Sequence, residues 1–456
     1  MFRKILIANR GEIAVRVIRA CRALGVTSAA VYSEADAQAL HARLADEAYP
    51  CGPAPARASY LDAERMLEIA RACGADALHP GYGFLSENGA FAERCEAAGV
   101  RFIGPPGDVI RAMGDKLAAR RLMMQAGIPV VPGSAEPITP QSALGLAEPL
   151  GFPLLVKAAA GGGGRGMRRV DDGAALLGAI ERGAREAASA FGVGAVYLEK
   201  LLANPRHIEV QILADRHGKT LQLFERECSI QRRHQKLLEE APASRIDAEL
   251  RQQLGRAALG AARAAGYVSA GTCEFLVDRD DRFYFLEMNT RIQVEHAVTE
   301  AVTGVDLVEH MIRIAAGEPL GLAQEDLQLR GHAIEARIYA EDPARKFLPS
   351  PGALRVFRPP EGPGIRVDAG VVEGDRVTVH YDALLAKLIA WAPDRPRAIE
   401  RLRGALDAFA IEGVASSLAF HRRAVRAPSF LAGRYDTGFV EDLMARGGTA
   451  EDTDGD

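Results

Sequence analysis

The chain is 456 residues long, about three times the length of a common domain, so we expect two to four domains. Hydrophobic residues make up 48% of the chain and charged residues 25%, a composition that excludes extended disorder and collagen-like repeats. The 56 basic and 60 acidic residues leave a net charge of -4, which gives no electrostatic support for a protein that coats nucleic acid.

The cysteines and the apolar runs bear on the cellular compartment. The six cysteines are widely spaced and include no C-x-x-C pair, so neither a disulfide framework nor a thiolate zinc site is expected. The apolar run Ile5–Ala8 is too short for a signal peptide, and no stretch approaches the roughly 18 apolar residues of a membrane span. We therefore expect a cytoplasmic protein that associates with neither membrane nor nucleic acid.

The first elements follow a β-α-β order. Apolar patterning predicts a strand at Lys4–Ala8, a helix at Gly11–Leu24 and a strand at Thr27–Tyr32, and such a unit forms a parallel sheet with a right-handed crossover. Helices and strands continue to alternate, so we expect a Rossmann-like α/β domain over residues 1–114. The loop Asn9–Glu12 lacks G-x-G-x-x-G, which argues against a dinucleotide site.

The central part of the chain has a different pattern. A helix is predicted from Asp115 to Ala126, and the Pro/Gly-rich segment after it indicates a small mobile lid over about 130–204. Strand-like runs then recur, which predicts a mixed or antiparallel sheet in a domain of residues 115–330. The predicted strands are Ala195–Leu198, Arg206–Leu213, Thr220–Phe224, Thr272–Val277 and Phe283–Met288.

The last part of the chain begins with more strands. They are predicted at Ala333–Tyr339, Leu354–Phe357 and Ile365–Asp368, and a helical end is predicted to follow to about Arg446. We therefore expect a C-terminal mixed β/α domain over residues 331–446. Residues 447–456 are small, polar and acidic, which predicts a disordered tail.

A lysine-tipped strand leads into a glycine run in the segment Lys157–Met167. Four consecutive glycines, Gly161 to Gly164, precede Arg165 and Gly166. Bare backbone amides let a phosphate chain approach without Cβ clashes. Because no G-K-[ST] follows, the segment is not a Walker A loop, and flexible linkers favour Gly and Ser over this composition. We interpret the segment as a phosphate-binding loop.

Polar residues occupy every odd position from Glu287 to Glu295. If the segment is extended, these side chains share one face of a strand, although an ordinary exposed strand face could show the same pattern. Glu274 lies in the preceding predicted strand and is also surrounded by apolar residues. Glu274, Glu287 and Asn289 thus make an all-oxygen set that suits Mg²⁺ bound together with the phosphates of ATP.

The segment Glu225–Lys236 brings several cationic side chains close together. Arg232, Arg233, His234 and Lys236 lie within five residues without helical spacing. Such a cluster can capture small anions, and a basic surface loop would look the same. The residues alone leave both interpretations open.

Together these segments resemble the ATP-grasp fold and, more closely, the biotin carboxylase family. The resemblance spans residues 1 to about 446, and a glycine loop alone would be weak evidence, whereas eight motifs in the right order are specific. The motifs are Ala8–Ala14, His79–Asn88, Gly114–Lys116, the Lys157 glycine loop, Asn204–His207, Gln231–Lys236, Glu287–His296 and Glu335–Ile338.

The resemblance implies an ATP-dependent ligase that carboxylates biotin through carboxyphosphate, with ATP, bicarbonate and Mg²⁺ or Mn²⁺. This would be the first half-reaction of acetyl-CoA carboxylase, which serves fatty acid biosynthesis, or of a related acyl-CoA carboxylase. Two lysines would hold the ATP phosphates while the glycine loop closes over them as a lid. The implied ATP-binding residues are Lys116, Lys157, Gly161, Gly162, Gly163, Gly164, Gly166, Glu199, Lys200, Leu202, His207, Gln231, His234 and Leu276.

The resemblance also implies the catalytic residues. Glu295 would be the general base on bicarbonate, Arg337 the cation beside the biotin ureido oxygen, and Tyr82 a biotin-facing side chain. A carboxylate flanked by cations could activate bicarbonate, which is a poor nucleophile. The implied metal ligands are Glu274 and Glu287 with Asn289 beside them, and the implied bicarbonate pocket is Lys236, Arg291, Gln293, Val294 and Glu295.

The end of the chain bears on the partners. It carries no Met-Lys-Met biotinylation hairpin and no carboxyltransferase domain, so we expect a separate biotin carboxyl carrier protein and carboxyltransferase subunits. Members of the family commonly form homodimers, which makes a homodimer the expected assembly. Ser416 and Ser417 replace the Thr-Asn pair that the family pattern leads us to expect, away from the implied catalytic residues.

Two other functions fit part of the pattern. Another ATP-grasp carboxylate ligase would share Lys116, the glycine loop, Glu274 and Glu287 but would not need Gln293, Glu295 and Arg337 together. A regulatory subunit that binds ATP without catalysis is disfavoured, because every catalytic position that we can match is filled.

Overall fold

The computed structural model describes residues 1–159, 167–192 and 194–446. Its first part consists of β1 (Lys4–Ile7), α1 (Gly11–Ala23), β2 (Thr27–Ser33), α2 (Leu40–Leu44), β3 (Glu47–Gly52), α3 (Ala63–Ala72), β4 (Ala77–His79), α4 (Gly89–Ala97), β5 (Arg101–Phe102) and α5 (Gly107–Gly114). The strands pair in parallel in the order β3-β2-β1-β4-β5. This confirms the predicted Rossmann-like arrangement.

Helix α1 illustrates how the local sequence builds this first layer. Ile13, Val17 and Cys21 recur at helical spacing and are buried. Glu12 lies in the first turn, where a negative charge interacts favourably with the helix dipole. The chain leaves the helix at Gly25, whose φ of 67° is one that glycine adopts without strain.

The central part contains a small three-stranded sheet and the beginning of a large one. Its elements are α6 (Lys116–Gln125), α7 (Pro140–Leu150), β6 (Leu154–Ala158), β7 (Arg168–Val170), α8 (Gly173–Phe191), β8 (Val196–Lys200), β9 (Arg206–Ala214), β10 (Thr220–Arg232), β11 (Gln235–Ala241), α9 (Ala248–Ala264), β12 (Ser269–Val277), β13 (Phe283–Asn289), α10 (His296–Thr303) and α11 (Leu307–Ala315). The small sheet is antiparallel in the order β7-β6-β8, and α7 and α8 pack against it. It lies within the range predicted as a lid.

The predicted phosphate-binding glycines, Gly161 to Gly164 and Gly166, lie outside the described residues. The predicted tail at 447–456 lies outside them as well.

The last part contains β14 (His332–Tyr339), β15 (Glu341–Asp342), β16 (Leu348–Pro349), β17 (Gly352–Ala353), β18 (Val356–Arg358), β19 (Ile365–Ala369), β20 (Arg376–Val377), β21 (Leu384–Ala392), α12 (Arg395–Ala408), β22 (Ala410–Glu412), α13 (Leu418–Ala424), α14 (Pro428–Leu431) and α15 (Phe439–Arg446). Strand β21 lies where we predicted helix, so that prediction was wrong. A strand that is buried on both faces reads as a continuous apolar run, which periodicity does not distinguish from a buried helix.

A large antiparallel sheet joins the central and last parts. Among the described residues it has eight strands in the order β13-β12-β9-β10-β11-β14-β21-β19, and every neighbouring pair is antiparallel. This confirms the predicted antiparallel sheet. Two features were missed: β10 continues beyond Phe224 to Arg232, and β11 follows it. The many charged residues of this hairpin concealed its strand character.

The two faces of the large sheet differ in chemistry. On β14, Ile334 and Ile338 belong to the hydrophobic core that also contains Leu402 of α12. Glu335 and Arg337 alternate with them along the strand and therefore point to the opposite face, where both are buried. The candidate site lies on this polar face.

Gly370, which follows β19, fixes the distance between the last part of the chain and the start of α1. A Cβ atom at this position would lie 2.4 Å from the backbone nitrogen of Glu12 and 2.7 Å from the carbonyl carbon of Gly11. The close approach brings the Glu12 carboxylate to β21, where Lys387 Nζ lies 3.3 Å from Glu12 Oε2. The first and last parts therefore meet at the edge of the candidate site.

No helix within the described ranges combines the length and the apolar character that a membrane span requires.

Gly370→Ala tests this close approach. We expect it to lower the free energy of unfolding by about 1–3 kcal/mol, because overpacking against the backbone forces a shift. The control is Gly404→Ala: Gly404 lies inside α12 with nothing within 4 Å of the added Cβ, so this change should raise stability by about 0.5–1 kcal/mol. Urea unfolding of the two variants measures both effects, and equal stabilities would contradict the account.

Candidate active site

Charged side chains from six strands converge on the polar face of the large sheet. Strand alternation places His207, Glu209 and Gln211 of β9 on this face, and all three are buried. A register shift in the β10–β11 pairing lets Lys236 and Glu239 both reach it, although they are an odd number of residues apart. The charged residues of the site are Glu209, Arg226, Lys236, Glu239, Glu274, Glu287, Glu295, Glu335 and Arg337.

Lys236 lies at the centre of this cluster. Its Nζ donates to Glu209 Oε2 at 2.6 Å, Glu274 Oε1 at 2.8 Å and Glu295 Oε1 at 2.6 Å. Burial favours the neutral amine, but the three carboxylates outweigh it and hold the pKa of Lys236 well above its usual value. The ammonium is therefore charged, and it joins β9, β12 and the segment before α10.

Glu295, directly before α10, is held between two cations. Its Oε1 accepts from Lys236, and its Oε2 accepts from Arg337 Nη2 at 2.8 Å. Burial alone would raise the pKa of Glu295, but Lys236, Arg337 and Arg226 hold it well below the usual range. Glu295 is thus a fully buried carboxylate that stays ionised near neutral pH.

Glu209 and Arg226 complete the cluster, and sequence reasoning missed both. Arg226 Nε donates to Glu209 Oε1 at 2.5 Å, and Nη1 donates to Gln211 and Thr299 at 2.8 Å each. Both charged side chains have no exposed surface. The alternation His207, Glu209, Gln211 along a predicted strand was the signal that could have identified Glu209.

Glu274 connects the central cluster to a second group of polar residues. Its Oε1 accepts from Asn289 Nδ2 at 2.9 Å and from Gln293 Nε2 at 3.3 Å, and its Oε2 lies 3.0 Å from His207 Nε2. Burial would raise the pKa of Glu274, but Lys236 and His207 hold it below the usual range. Burial would lower the pKa of His207, but the negative charge of Glu274 outweighs burial, and the pKa is raised.

Glu287 faces Glu274 across the β12–β13 pairing, in direct register. Burial and the negative charge of Glu274 raise the pKa of Glu287. Like charges in directly opposite positions repel each other, and nothing in the described part of the chain forms an ion pair with Glu287. A pair of carboxylates in this position suits a cation.

The segment after Asn289 does not meet the condition under which its polar side chains would share one strand face, because β13 ends at that residue. The polar side chains nevertheless meet. Arg291 Nη1 donates to Gln293 Oε1 at 2.9 Å, Nη2 donates to Asn289 Oδ1 at 3.1 Å, and Nε lies 3.2 Å from Glu87 Oε2. Hydrogen bonds rather than strand alternation therefore bring this group together, and Glu87 of the first part joins it.

Val294 contributes to the site through its backbone, since its carbonyl oxygen accepts a hydrogen bond from Lys387 Nζ at 2.7 Å. This contact anchors the residue immediately before Glu295 to strand β21.

Two lysines lie near the small sheet. Lys157 of β6 donates to Glu199 Oε2 of β8 at 2.8 Å, and Glu199 lies 3.4 Å from Arg120. Lys116 opens α6, and burial together with the positive charge of Lys157 lowers its pKa. A polyanion bound between the two ammonium groups would relieve this repulsion.

The basic segment Glu225–Lys236 is a hairpin rather than a loop. Arg233 and His234 form its turn with φ of 49° and 66° and are exposed. Gln231 lies half-buried near the end of β10, directly opposite Lys236. The hairpin thus carries Lys236 inward and presents Arg233 and His234 outward.

Three other residues predicted to contact ATP lie at the end of β8, just after it, and on β12. Lys200 Nζ donates to the carbonyl oxygens of Gly151 and Phe152 at 2.9 and 3.1 Å, so its ammonium is engaged by the connection between α7 and β6. Leu202 and Leu276 are half-buried, and Leu276 pairs in register with His207.

Tyr82 lies on the side of the first part of the chain. Its hydroxyl donates to Glu12, and burial and the Glu12 carboxylate raise its pKa. Because Lys387 links Glu12 to the Val294 carbonyl oxygen, Tyr82 is connected to the backbone directly before Glu295.

Three family models match successive parts of the chain. "Biotin carboxylase, N-terminal domain" matches residues 1–110. "Carbamoyl-phosphate synthase L chain, ATP binding domain" matches 115–323. "Biotin carboxylase C-terminal domain" matches 335–442.

Relatives and solved structures match almost the whole chain. Biotin carboxylase 1 of Bacillus subtilis is 50% identical, over 97% of this chain and 100% of that protein. A pyruvate carboxylase subunit of Methanothermobacter thermautotrophicus is 52% identical, over 99% of this chain and 92% of that protein.

Two crystal structures have the same fold. The Campylobacter jejuni biotin carboxylase-beta-gamma-ATP complex has a TM-score of 0.94 at 45% identity, over 97% of this chain and 99% of that one. The biotin carboxylase domain dimer of Hydrogenobacter thermophilus 2-oxoglutarate carboxylase, solved with MgADP, ADP and bicarbonate, has a TM-score of 0.94 at 47% identity, with the same coverage.

The ATP-binding-domain match over residues 115–323 and the shared fold with a biotin carboxylase structure identify an ATP-grasp ligase. The chain belongs to the biotin carboxylase family, as the resemblance predicted. Its members are ATP-dependent ligases that carboxylate biotin with bicarbonate.

Arg226→Met tests the energetic role of the buried cluster. It leaves Glu209 with less compensation in the interior, so we expect it to lower the free energy of unfolding by about 3–5 kcal/mol. Arg279→Met is the matched control: Arg279 is exposed, and surface changes usually stay within about 0.5 kcal/mol. Urea unfolding at pH 7 compares the two, and similar stabilities would show that the cluster contributes little.

Proposed function

We propose that this chain carries out the first half-reaction of a biotin-dependent carboxylase, with Glu295 as the general base on bicarbonate. Bicarbonate and ATP would yield carboxyphosphate and ADP, and biotin on a carrier protein would receive the carboxyl group. The observation that carries the proposal is the Glu295 carboxylate held between Lys236 and Arg337 at 2.6 and 2.8 Å.

The proposed activation step uses the charges of the cluster. When bicarbonate binds, Lys236 and Arg291 would hold the anion, and their attraction for Glu295 would weaken. Burial raises the pKa of Glu295 and Lys236 lowers it, so a weaker attraction to Lys236 makes the carboxylate more basic, and Glu295 would then remove the bicarbonate proton. The bicarbonate oxygen then attacks the γ-phosphorus of ATP, and the bond to ADP breaks.

The second step transfers the carboxyl group. Carboxyphosphate would break its bond between carbon and the bridging oxygen, which gives CO₂ and phosphate, and the phosphate would take the ureido N–H proton of biotin. The nitrogen then attacks CO₂. Arg337 would stabilise the negative charge on the ureido oxygen, and Tyr82 would line the biotin side of the site.

We propose an ATP site formed by Lys116 and Lys157 with Glu199, Lys200, Leu202, His207, Gln231, His234 and Leu276. The repulsion between the two lysines and the Lys157–Glu199 contact across the small sheet support this placement. The ranges 1–114, 115–330 and 331–446 would act as domains, with the small sheet as a lid over the nucleotide.

Three oxygen-bearing side chains on β12 and β13 are suited to bind magnesium. Glu274 and Glu287 face each other, with Asn289 beside them, and hard oxygen donors are what Mg²⁺ prefers. We propose that these residues hold the ion. When bound, Mg²⁺ neutralises charge on the ATP phosphates.

The proposed partners are a biotin carboxyl carrier protein, carboxyltransferase subunits and a second copy of this chain. The Methanothermobacter relative is named as part of pyruvate carboxylase, and the Hydrogenobacter domain was solved as a dimer. Both support an assembly in which this chain is one component.

The activity itself is tested by phosphate release from Mg·ATP. We expect release that depends on bicarbonate and is stimulated by free biotin, since biotin consumes the CO₂ that carboxyphosphate supplies. ATP binding without any effect of bicarbonate or biotin would contradict the proposal and favour another ATP-grasp ligase or a regulatory subunit.

The assigned roles are tested by Glu295→Gln and Arg337→Ala. Loss of the base should reduce biotin carboxylation about 10²–10⁴-fold, and loss of the cation about 10²–10³-fold, while nucleotide binding measured by calorimetry persists. Glu400→Gln, on the exposed face of α12, is the matched control and should leave the rate unchanged. Retained carboxylation in either site variant would remove that residue from its role.

A further inference from the structure

Glu335 is a buried carboxyl group that the proposed chemistry does not use. It has no exposed surface, and neither of its oxygens has a hydrogen-bond partner among the described residues. It lies on β14 two residues before Arg337 and directly opposite Glu239 of β11. An ionised carboxylate in this environment would cost several kcal/mol.

The neighbouring carboxyl group is only partly satisfied. Glu239 Oε1 accepts from Arg337 Nε at 2.6 Å, but Glu239 Oε2 is buried without a partner in the described part of the chain. Side chains directly opposite each other on antiparallel strands have Cβ atoms about 4.5–5.5 Å apart. Three unpartnered carboxyl oxygens therefore lie on adjacent strands, which is the situation in which one proton is shared by two acids.

The charged groups around Glu335 do not supply a partner. Arg337, on the same strand, is engaged by Glu239 and by Glu295 at the start of α10. Lys387, on β21, lies opposite Arg337, and its ammonium is engaged elsewhere. It donates to the Val294 carbonyl oxygen at 2.7 Å.

Two further carboxylates share Lys387. Its Nζ lies 3.3 Å from Glu12 Oε2 and 3.9 Å from Asp368 Oδ2. The position opposite Glu335 on β21 is the apolar residue Ile389. Within the residues described, β11, β21 and α10 therefore offer Glu335 no lysine or arginine that is free of other partners.

The direction of the pKa shifts agrees with this geometry. Burial raises the pKa of Glu335 well above its usual value, and the attraction of Lys387 does not reverse this. Burial also raises the pKa of Glu239, to about 7, although Arg337 opposes it.

We propose that Glu335 is a positioning residue whose carboxylic acid shares one proton with Glu239, so that Arg337 faces one negative charge there rather than two. This inference rests on the proposed function, in which Arg337 stabilises the ureido oxygen of biotin. With the proton in place, Arg337 keeps positive potential for that oxygen. Loss of the proton adds a charge that competes for the guanidinium.

The consequence is a pH dependence with a defined sign. As pH rises through the titration of the pair, the proton is lost and biotin-dependent turnover falls. Bicarbonate-dependent ATP hydrolysis without biotin does not use the ureido oxygen, so it should not show this decline. The ratio of the two rates between pH 6 and 9 isolates the effect.

The test compares Glu335→Gln with the wild type. Glutamine is neutral at every pH, so we expect the ratio at pH 6.5 to stay within about twofold of wild type and the alkaline decline to move upward by at least about one pH unit, which is tenfold in proton affinity. Glu335→Asp keeps a titrating acid and should keep the decline. Glu400→Gln makes the same charge change on an exposed helix face and should match wild type.

Several results would overturn the inference. They are a wild-type ratio with no alkaline decline, a Glu335→Gln profile that superimposes on wild type, or a loss of activity in Glu335→Gln that is independent of pH. If Glu335→Gln does not fold, Glu335→Met, neutral and of similar length, takes its place under the same criteria. A wild-type protein without any bicarbonate-dependent turnover would instead refute the proposed function, so the two failures are distinguishable.

Discussion

The buried ammonium of Lys236 is the interaction on which the rest of the site depends. Three carboxylates from separate segments, Glu209, Glu274 and Glu295, lie within 2.6–2.8 Å of it. In a protein interior, removing one member of such a set leaves an uncompensated charge that costs several kcal/mol. The cluster therefore fixes the relative positions of β9, β11, β12 and the segment before α10, and in the proposed function a substrate anion shares its charges.

The same cluster joins the parts of the chain that are distant in sequence. Arg337 links Glu295 to strand β14, and Lys387 links the backbone of Val294 to Glu12 of helix α1. The large sheet crosses from the central part into the last part without interruption. The candidate site thus lies where three segments of the chain meet, and its geometry depends on their folding together.

Much of this could be predicted from the sequence, and the failures have physical causes. The polar residues between Glu287 and Glu295 were identified by alternation, yet β13 ends at Asn289 and hydrogen bonds assemble the remainder. Arg226 has no local pattern that separates a buried arginine from an exposed one. Its role appears only when pairing brings Glu209 beside it. Strand β21 was missed because burial on both faces removes the periodic signal.

The fate of the bicarbonate oxygens tests the central claim most directly. Wild-type protein would be incubated with ¹⁸O-labelled bicarbonate, Mg·ATP and biotin, and the inorganic phosphate would be analysed by mass spectrometry. If bicarbonate attacks the γ-phosphorus after Glu295 removes its proton, each phosphate carries one oxygen from bicarbonate. Phosphate whose new oxygen comes only from water would contradict this account, because the ATP would then have been hydrolysed without activation of bicarbonate.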